Sequence, residues 1–162
     1  PFYSMQLEDV GCRKFTVGVL WALGVAAEVG IFLIMHRLMR RFALARVLFV
    51  SLLLAVLRWL IIALCGADLW WLVPAQLLHA ASYGSFHAAS IAWVQDTFGE
   101  AHAGQGQALY SSLGYGAGWG LGSGLSGLAW PHLGVYCFLI AGVLTLAAAA
   151  LISRLPAAAE AR

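Results

Sequence analysis

Five polar side chains recur at steps of three or four residues within the apolar stretch 69–94; they are Gln76, His79, Tyr83, His87 and Ser90. On an α-helix this spacing places them on one narrow face. A polar stripe within hydrocarbon is costly unless it faces protein or a water-filled cavity. The pattern therefore predicts one wall of a polar pathway through a membrane, and we expect the first four residues to bind the substrate.

Two charged side chains, Glu28 and Arg58, interrupt other apolar stretches. A charge at the centre of a bilayer costs roughly 2.5–3.5 kcal/mol on insertion scales, so each should have a partner or a function. We predict that Glu28 exchanges a proton and that Arg58 tunes its proton affinity, through the opposed effects of a nearby charge and of desolvation. The alternative is a structural ion pair that fixes the register of two helices.

The two histidines on the polar face, His79 and His87, allow two interpretations. A single membrane histidine often serves only as an interhelical hydrogen-bond donor. Two on one face, beside Gln76 and Tyr83, favour a ligand-binding or proton-relay role. No metal or cofactor is predicted, because the two histidines are about 12 Å apart along the helix axis and no second ligand pair is visible.

The composition indicates an integral membrane protein. Of 162 residues, 62% are hydrophobic and 10% are charged, and mean hydropathy is +0.86, whereas soluble domains are about 45–50% apolar and about 25% charged. The net charge is +2, and its basic residues cluster in one short segment, so no nucleic-acid partner is expected. The three cysteines are far apart and do not predict a disulfide framework.

Five apolar stretches are long enough to cross a bilayer as helices; they are 15–35, 47–64, 69–94, 108–129 and 136–152. The fold class is therefore an all-α polytopic helix bundle. The segment 36–46 carries four arginines, which places it in the cytoplasm by the positive-inside rule. Alternation then predicts an outer N-terminal loop, a cytoplasmic loop over 95–107 and a cytoplasmic tail over 153–162. Because the chain begins at Pro1, we expect it to be part of a longer polypeptide.

The fourth apolar stretch carries glycines at every second position, which form two stripes on a helix; they are Gly114, Gly118 and Gly122, and Gly116, Gly120 and Gly124. Each stripe matches the small-residue pattern of close helix packing in membranes. The alternative is a flexible helix that bends or slides during a conformational cycle.

Several short motifs resemble the C-terminal half of a major facilitator superfamily transporter; they are Ala-Leu-Gly-Val-Ala-Ala-Glu28-Val, Arg37-Leu-Met-Arg-Arg41, Val-Leu-Arg58-Trp59, Gln76-Leu-Leu-His79 and Phe-His87-Ala-Ala. The likeness covers nearly the whole chain. It is similar in particular to the phenylpropionate permease type, which is related to the oligosaccharide:proton symporters. The resemblance implies that the five stretches are helices eight to twelve of twelve, with the N-terminal half absent.

The same resemblance implies roles for three residues. Glu28, Arg58 and His79 match the motif positions of an acid, an arginine and a histidine that those symporters use in substrate binding and proton coupling. A second acid one turn after the histidine is replaced here by Ser82, which leaves Glu28 as the one evident intramembrane proton carrier.

The function expected from these features is secondary transport of a small organic solute, such as an aromatic carboxylate, by proton symport with alternating access. A sugar or a nucleoside remains open as the substrate. The expected partners are the substrate, protons, lipid and the N-terminal half of the same polypeptide, in a bacterial inner membrane. The alternative is a non-transporting scaffold, assembly subunit or truncated remnant. No catalytic constellation with suitable spacing is visible, so an enzyme is not predicted.

Overall fold

The computed structural model describes residues 2–154, which are helical except for short turns and include no strand within that range. The all-α fold class is therefore confirmed. Pro1 and most of the predicted C-terminal tail, 155–162, lie outside the described residues. Seven α-helices follow in chain order: α1 Phe2–Asp9, α2 Lys14–Arg41, α3 Leu44–Cys65, α4 Leu69–His79, α5 Ser85–Ser111, α6 Trp119–Leu133 and α7 Cys137–Ile152.

Two stretches of π-helix join consecutive α-helices, so that the helices on either side form one continuous helical rod. The first π segment, Ala80–Gly84, links α4 to α5, and the second π segment, Ser112–Gly118, links α5 to α6. π-Helical turns are rare in proteins, but those that occur are often found at functional sites. Nothing in the sequence pattern indicates them.

In the described part of the chain, three helical stretches are long and apolar enough to cross a membrane, by length and composition; they are Lys14–Arg41, Leu44–Cys65 and Leu69–Ile152. The third contains 84 residues and would measure about 126 Å as one straight helix, several times the thickness of a bilayer core. It must therefore fold back on itself.

The chain first reverses its direction at Gly99, whose backbone angles are φ 68° and ψ 172°. The hydroxyl of Tyr115 lies 2.8 Å from Nδ1 of His87, although 28 residues of straight helix would separate them by about 42 Å. The segment 95–107, predicted as a loop, is therefore helical on both sides of Gly99, and the chain reverses within it. The alanine, glutamine and glutamate there are good helix formers, and the break needs one glycine only.

We expect Gly99→Ala to destabilise the protein by about 1–3 kcal/mol, because its backbone conformation is almost exclusive to glycine. A Cβ at Gly99 would meet no atom within 4 Å, so the cost comes from the backbone alone. Gly104 also has open space around it but lies in regular helix, so Gly104→Ala should be neutral or stabilising. Thermal unfolding of both variants in detergent measures the difference, and equal stabilities would contradict the assigned break.

A second reversal at Gly134, with φ +50°, brings α7 back against the bundle. The rings of Trp130 and Phe138 lie 5.9 Å apart across this turn. Phe138 also stacks on Trp59 of α3 at 5.5 Å, so α7 packs mainly along α3. Together the two reversals divide the last stretch into three antiparallel pieces.

Three buried clusters hold the helices that carry the polar residues. The first joins α1, α2 and α4 through Leu7, Val17, Leu20 and Leu72. The second joins α2, α3 and α5 through Met35, Val47, Leu48 and Ala89. The third joins α3, α4 and α7 through Ile62, Ala63, Ala75 and Phe138. In a membrane such close van der Waals packing is the main force between helices, and here it fixes α2, α3 and α4 side by side.

The glycine stripes do not pack against another helix in the part of the chain that the structure describes. A Cβ would have no neighbour within 4 Å at Gly114, Gly116, Gly120, Gly122 and Gly124, and at Gly118 it would meet only the carbonyl of Leu113. Helix α6 has no buried residue, because it lies at the edge of this bundle. Close packing through the stripes therefore stays a prediction about whatever covers this face.

Candidate functional site

Three neighbouring helices bring together the acid, the arginine and the histidine that the sequence singles out. Nε2 of His79 on α4 lies 3.1 Å from Oε1 of Glu28 on α2. Nδ1 of the same ring lies 2.6 Å from Nη1 of Arg58 on α3. From the sequence Glu28 is expected to pair directly with Arg58, whereas the structure places the imidazole of His79 between them. We call this Glu28–His79–Arg58 arrangement the charged triad.

The chemistry of the donors fixes the tautomer of His79. A guanidinium has donors and no acceptor, so Nδ1 must accept the hydrogen bond from Arg58. The ring proton is then on Nε2, which donates to the carboxylate of Glu28. Protonating His79 would place two donors face to face at Nδ1 and break the contact with Arg58. The triad is therefore a chain of hydrogen bonds that depends on where one proton resides.

The triad is partly shielded from solvent. The side chains of His79 and Glu28 are 23% and 19% exposed. The guanidinium of Arg58 lies over the ring of Trp59 at 3.9 Å, an arrangement that stabilises a desolvated cation. Nε of Arg58 is buried and has no hydrogen-bond partner among residues 2–154. Arg58 thus has donor capacity that the protein itself does not use.

The polar face of α4 and α5 continues from the triad as a ladder of rings. His79 stacks on Tyr83 with ring centroids 5.4 Å apart, and Tyr83 stacks on His87 at 6.0 Å. The three- and four-residue spacing therefore produces a shared face, even though the first π segment interrupts it. Gln76 is buried one turn before the triad, and a Cβ at Gly24 would lie 3.0 Å from its Oε1.

Sequence reasoning missed Tyr115, which organises the other end of the ladder. Its hydroxyl lies 3.2 Å from the hydroxyl of Tyr83 and 2.8 Å from Nδ1 of His87. The edge of Tyr110 meets its ring at 6.0 Å. His87 thus joins this tyrosine group and not the charged triad. The signal available in the sequence was a lone phenol among glycines, which gave no reason to pair it with Tyr83.

A cavity of about 340 Å³ opens beside the triad. Three residues of the predicted site line it, namely Arg58, Gln76 and His79, whereas Tyr83 and His87 do not. Most of the wall is aromatic and comes from four separate helices and α1; its rings are Phe2, Tyr3, Trp21, Trp59, Trp119 and Phe138. Within residues 2–154 no three His, Cys, Asp or Glu side chains are grouped so that they could hold a metal ion.

Comparisons with known proteins identify the family of the chain. The model of the MFS_1 like family matches residues 1–141. A protein of Escherichia coli (strain K12) named "Probable 3-phenylpropionic acid transporter" is 30% identical over 147 residues. The match covers 91% of this chain and 38% of that relative, so the chain spans well under half of the relative's length. No solved structure gives a match. The chain therefore belongs to the MFS_1 like family, within the major facilitator transporters, and is an integral membrane protein rather than an enzyme.

Proposed function

We propose that this chain forms half of a transporter that moves a small organic acid across the membrane together with a proton. The observation that carries the proposal is the charged triad, in which one imidazole joins an acid to an arginine beside a cavity. The relative's name supports the choice of an aromatic acid as substrate. The rest of a full-length transporter would complete the cavity and form the second half.

The charges of the triad explain why a proton should accompany the substrate. With His79 neutral, the positive charge of Arg58 balances the negative charge of Glu28. A bound carboxylate adds one uncompensated negative charge in a poorly solvated site, where charge imbalance is expensive. Uptake of one proton by Glu28 restores neutrality. Proton and anion would therefore bind together and cross as a neutral pair, one to one.

Alternating access supplies the movement. Transporters of this kind rock two helical halves around a site near the bilayer midplane. We propose five spans, formed by α2, α3, α4–α5 up to Gly99, the rod from there through α6, and α7. The four arginines of the predicted loop 36–46 lie at the end of α2 and the start of α3, which are separated only by residues 42–43. We propose that this basic end of the two helices lies in the cytoplasm, as in a bacterial inner membrane protein.

Uptake into proteoliposomes containing the full-length protein tests the proposal. With an acidic exterior we expect radiolabelled 3-phenylpropionate to accumulate above its external concentration, because inward proton flow drives the anion. A protonophore that collapses the pH gradient should reduce the internal concentration to the external one. Accumulation that survives the protonophore would contradict proton symport, and a complete lack of uptake would favour a structural role for the triad.

A further inference from the structure

Nε of Arg58 has no hydrogen-bond partner within residues 2–154 and is shielded from solvent. The contact with His79 uses Nη1. The Nε–H and the adjacent Nη2–H point the same way, and a parallel pair of this kind binds both oxygens of a carboxylate. Because Arg58 lines the cavity, this edge is the strongest anion-binding group in the described wall.

A second polar group without a partner lies on the same cavity. The hydroxyl of Tyr3 in α1 is buried and has no partner at hydrogen-bond geometry within the described residues, although the side chain of Gln76 lies close enough to interact with it, and Tyr3 also lines the cavity. A buried donor without an acceptor costs stability. Two such groups in one wall therefore point to a ligand that accepts hydrogen bonds from both.

The remaining wall is suited to an aromatic ring. Trp21 meets the ring of Tyr3 edge-on at 6.1 Å, and Trp119 lies at the cavity's exposed side, with 63% of its surface accessible. Aromatic pairs favour such edge and offset contacts. The volume of about 340 Å³ lies at the small end of the range for ligand sites. A sugar or a nucleoside would need many more polar groups than this wall offers.

We propose that this cavity is the substrate subsite for an aryl carboxylate, and that Tyr3 and Trp21 determine its specificity. The carboxylate would accept two hydrogen bonds from the free edge of Arg58 and one from the hydroxyl of Tyr3. The ring would lie between Trp21 and Trp119. This inference rests on the proposed function, but it adds a phenol from α1 and two indoles that the polar face of α4 and α5 does not include.

Equilibrium binding to the purified full-length protein in detergent, at one pH and without a gradient, tests the subsite. With 3-phenylpropionate as the probe, we expect Tyr3→Phe to raise Kd about 10-fold, because one hydrogen bond to a charged acceptor is lost. The matched control is Tyr136→Phe, on an exposed tyrosine outside the cavity, which should change Kd less than about twofold. Arg58→Lys keeps the positive charge but removes the pair of parallel N–H donors, and should raise Kd about 30-fold.

Ligand analogues test the ring pocket without altering the protein. We expect 3-cyclohexylpropionate to bind about fivefold more weakly than 3-phenylpropionate, because it lacks the aromatic contacts. Lactose and uridine should not compete. The subsite is wrong if the wild type does not bind 3-phenylpropionate, if folded Tyr3→Phe binds it unchanged, or if lactose competes equally. Loss of proton coupling in the uptake assay, with this binding pattern intact, would instead refute symport alone.

Discussion

Glu28→Gln is expected to abolish accumulation driven by a pH gradient while leaving exchange of substrate intact. For one proton per carboxylate, each pH unit is worth a factor of ten, so a gradient of two units sustains about 100-fold accumulation. A glutamine cannot release a proton, so the accumulation that exceeds passive entry of the neutral acid into protein-free liposomes should be lost. Its Oε1 can still accept the hydrogen bond that Nε2 of His79 gives to Glu28, so the shape of the triad is retained.

Two measurements on the same proteoliposomes separate coupling from binding. Net accumulation of 3-phenylpropionate under the gradient should fall about 100-fold, whereas exchange of internal for external substrate at equal pH should stay within about threefold of the wild type. Glu100→Gln is the control, because Glu100 is an exposed carboxylate remote in sequence from the triad. Gradient-driven accumulation that persists in Glu28→Gln would remove Glu28 from the coupling mechanism.

Gly66→Val is expected to be the most destabilising single substitution outside the site. Gly66 lies in the turn between α3 and α4, and a Cβ there would overlap the carbonyl oxygen of Ile62 and the side-chain nitrogen of Gln6. That nitrogen donates a buried hydrogen bond of 3.1 Å to the same carbonyl. The added side chain would displace Gln6 and lift α1 from the bundle, at a cost of about 3 kcal/mol from overpacking and the lost bond.

The melting temperature of the purified protein measures this cost. A loss of about 3 kcal/mol corresponds to a decrease of roughly 9 °C for a chain of this size. Gly30→Val is the matched control, because a Cβ at Gly30 would meet no atom within 4 Å, and its melting temperature should change little. Since α1 carries Tyr3, Gly66→Val should also weaken binding of aryl carboxylates. Equal melting temperatures for the two variants would show that α1 does not depend on this turn.

Much of the fold and the triad could be predicted from the sequence because the signals are local. Long apolar stretches specify membrane helices, and a charge within one must find a partner. Glu28 and Arg58 were recognisable for that reason and His79 from the polar face of its helix, and the structure brings the three together. Their order along the hydrogen-bond chain was not predictable, since it depends on the rotation of three helices about their axes.

The parts that sequence reasoning missed depend on contacts between distant residues. Tyr115 meets His87 only because Gly99 reverses the chain. Tyr3 and Trp21 reach the cavity because Leu7, Val17 and Leu72 hold α1 against α2 and α4. Neither contact produces a periodic pattern. The proton-coupling and substrate-binding roles of the site residues stay predictions until the transport and binding measurements are made.

The hydrogen bond between Tyr83 and Tyr115 joins the two π segments at the same depth. Each π-helical turn contains about one residue more than a turn of α-helix. If the extra residue shifted along its helical rod, the side chains between its old and new positions would rotate by about 100° about the helix axis, while the ends of the rod stayed in place. A shift in one rod alone would carry its tyrosine away and break this hydrogen bond, so the contact between Tyr83 and Tyr115 favours a shift of both rods together.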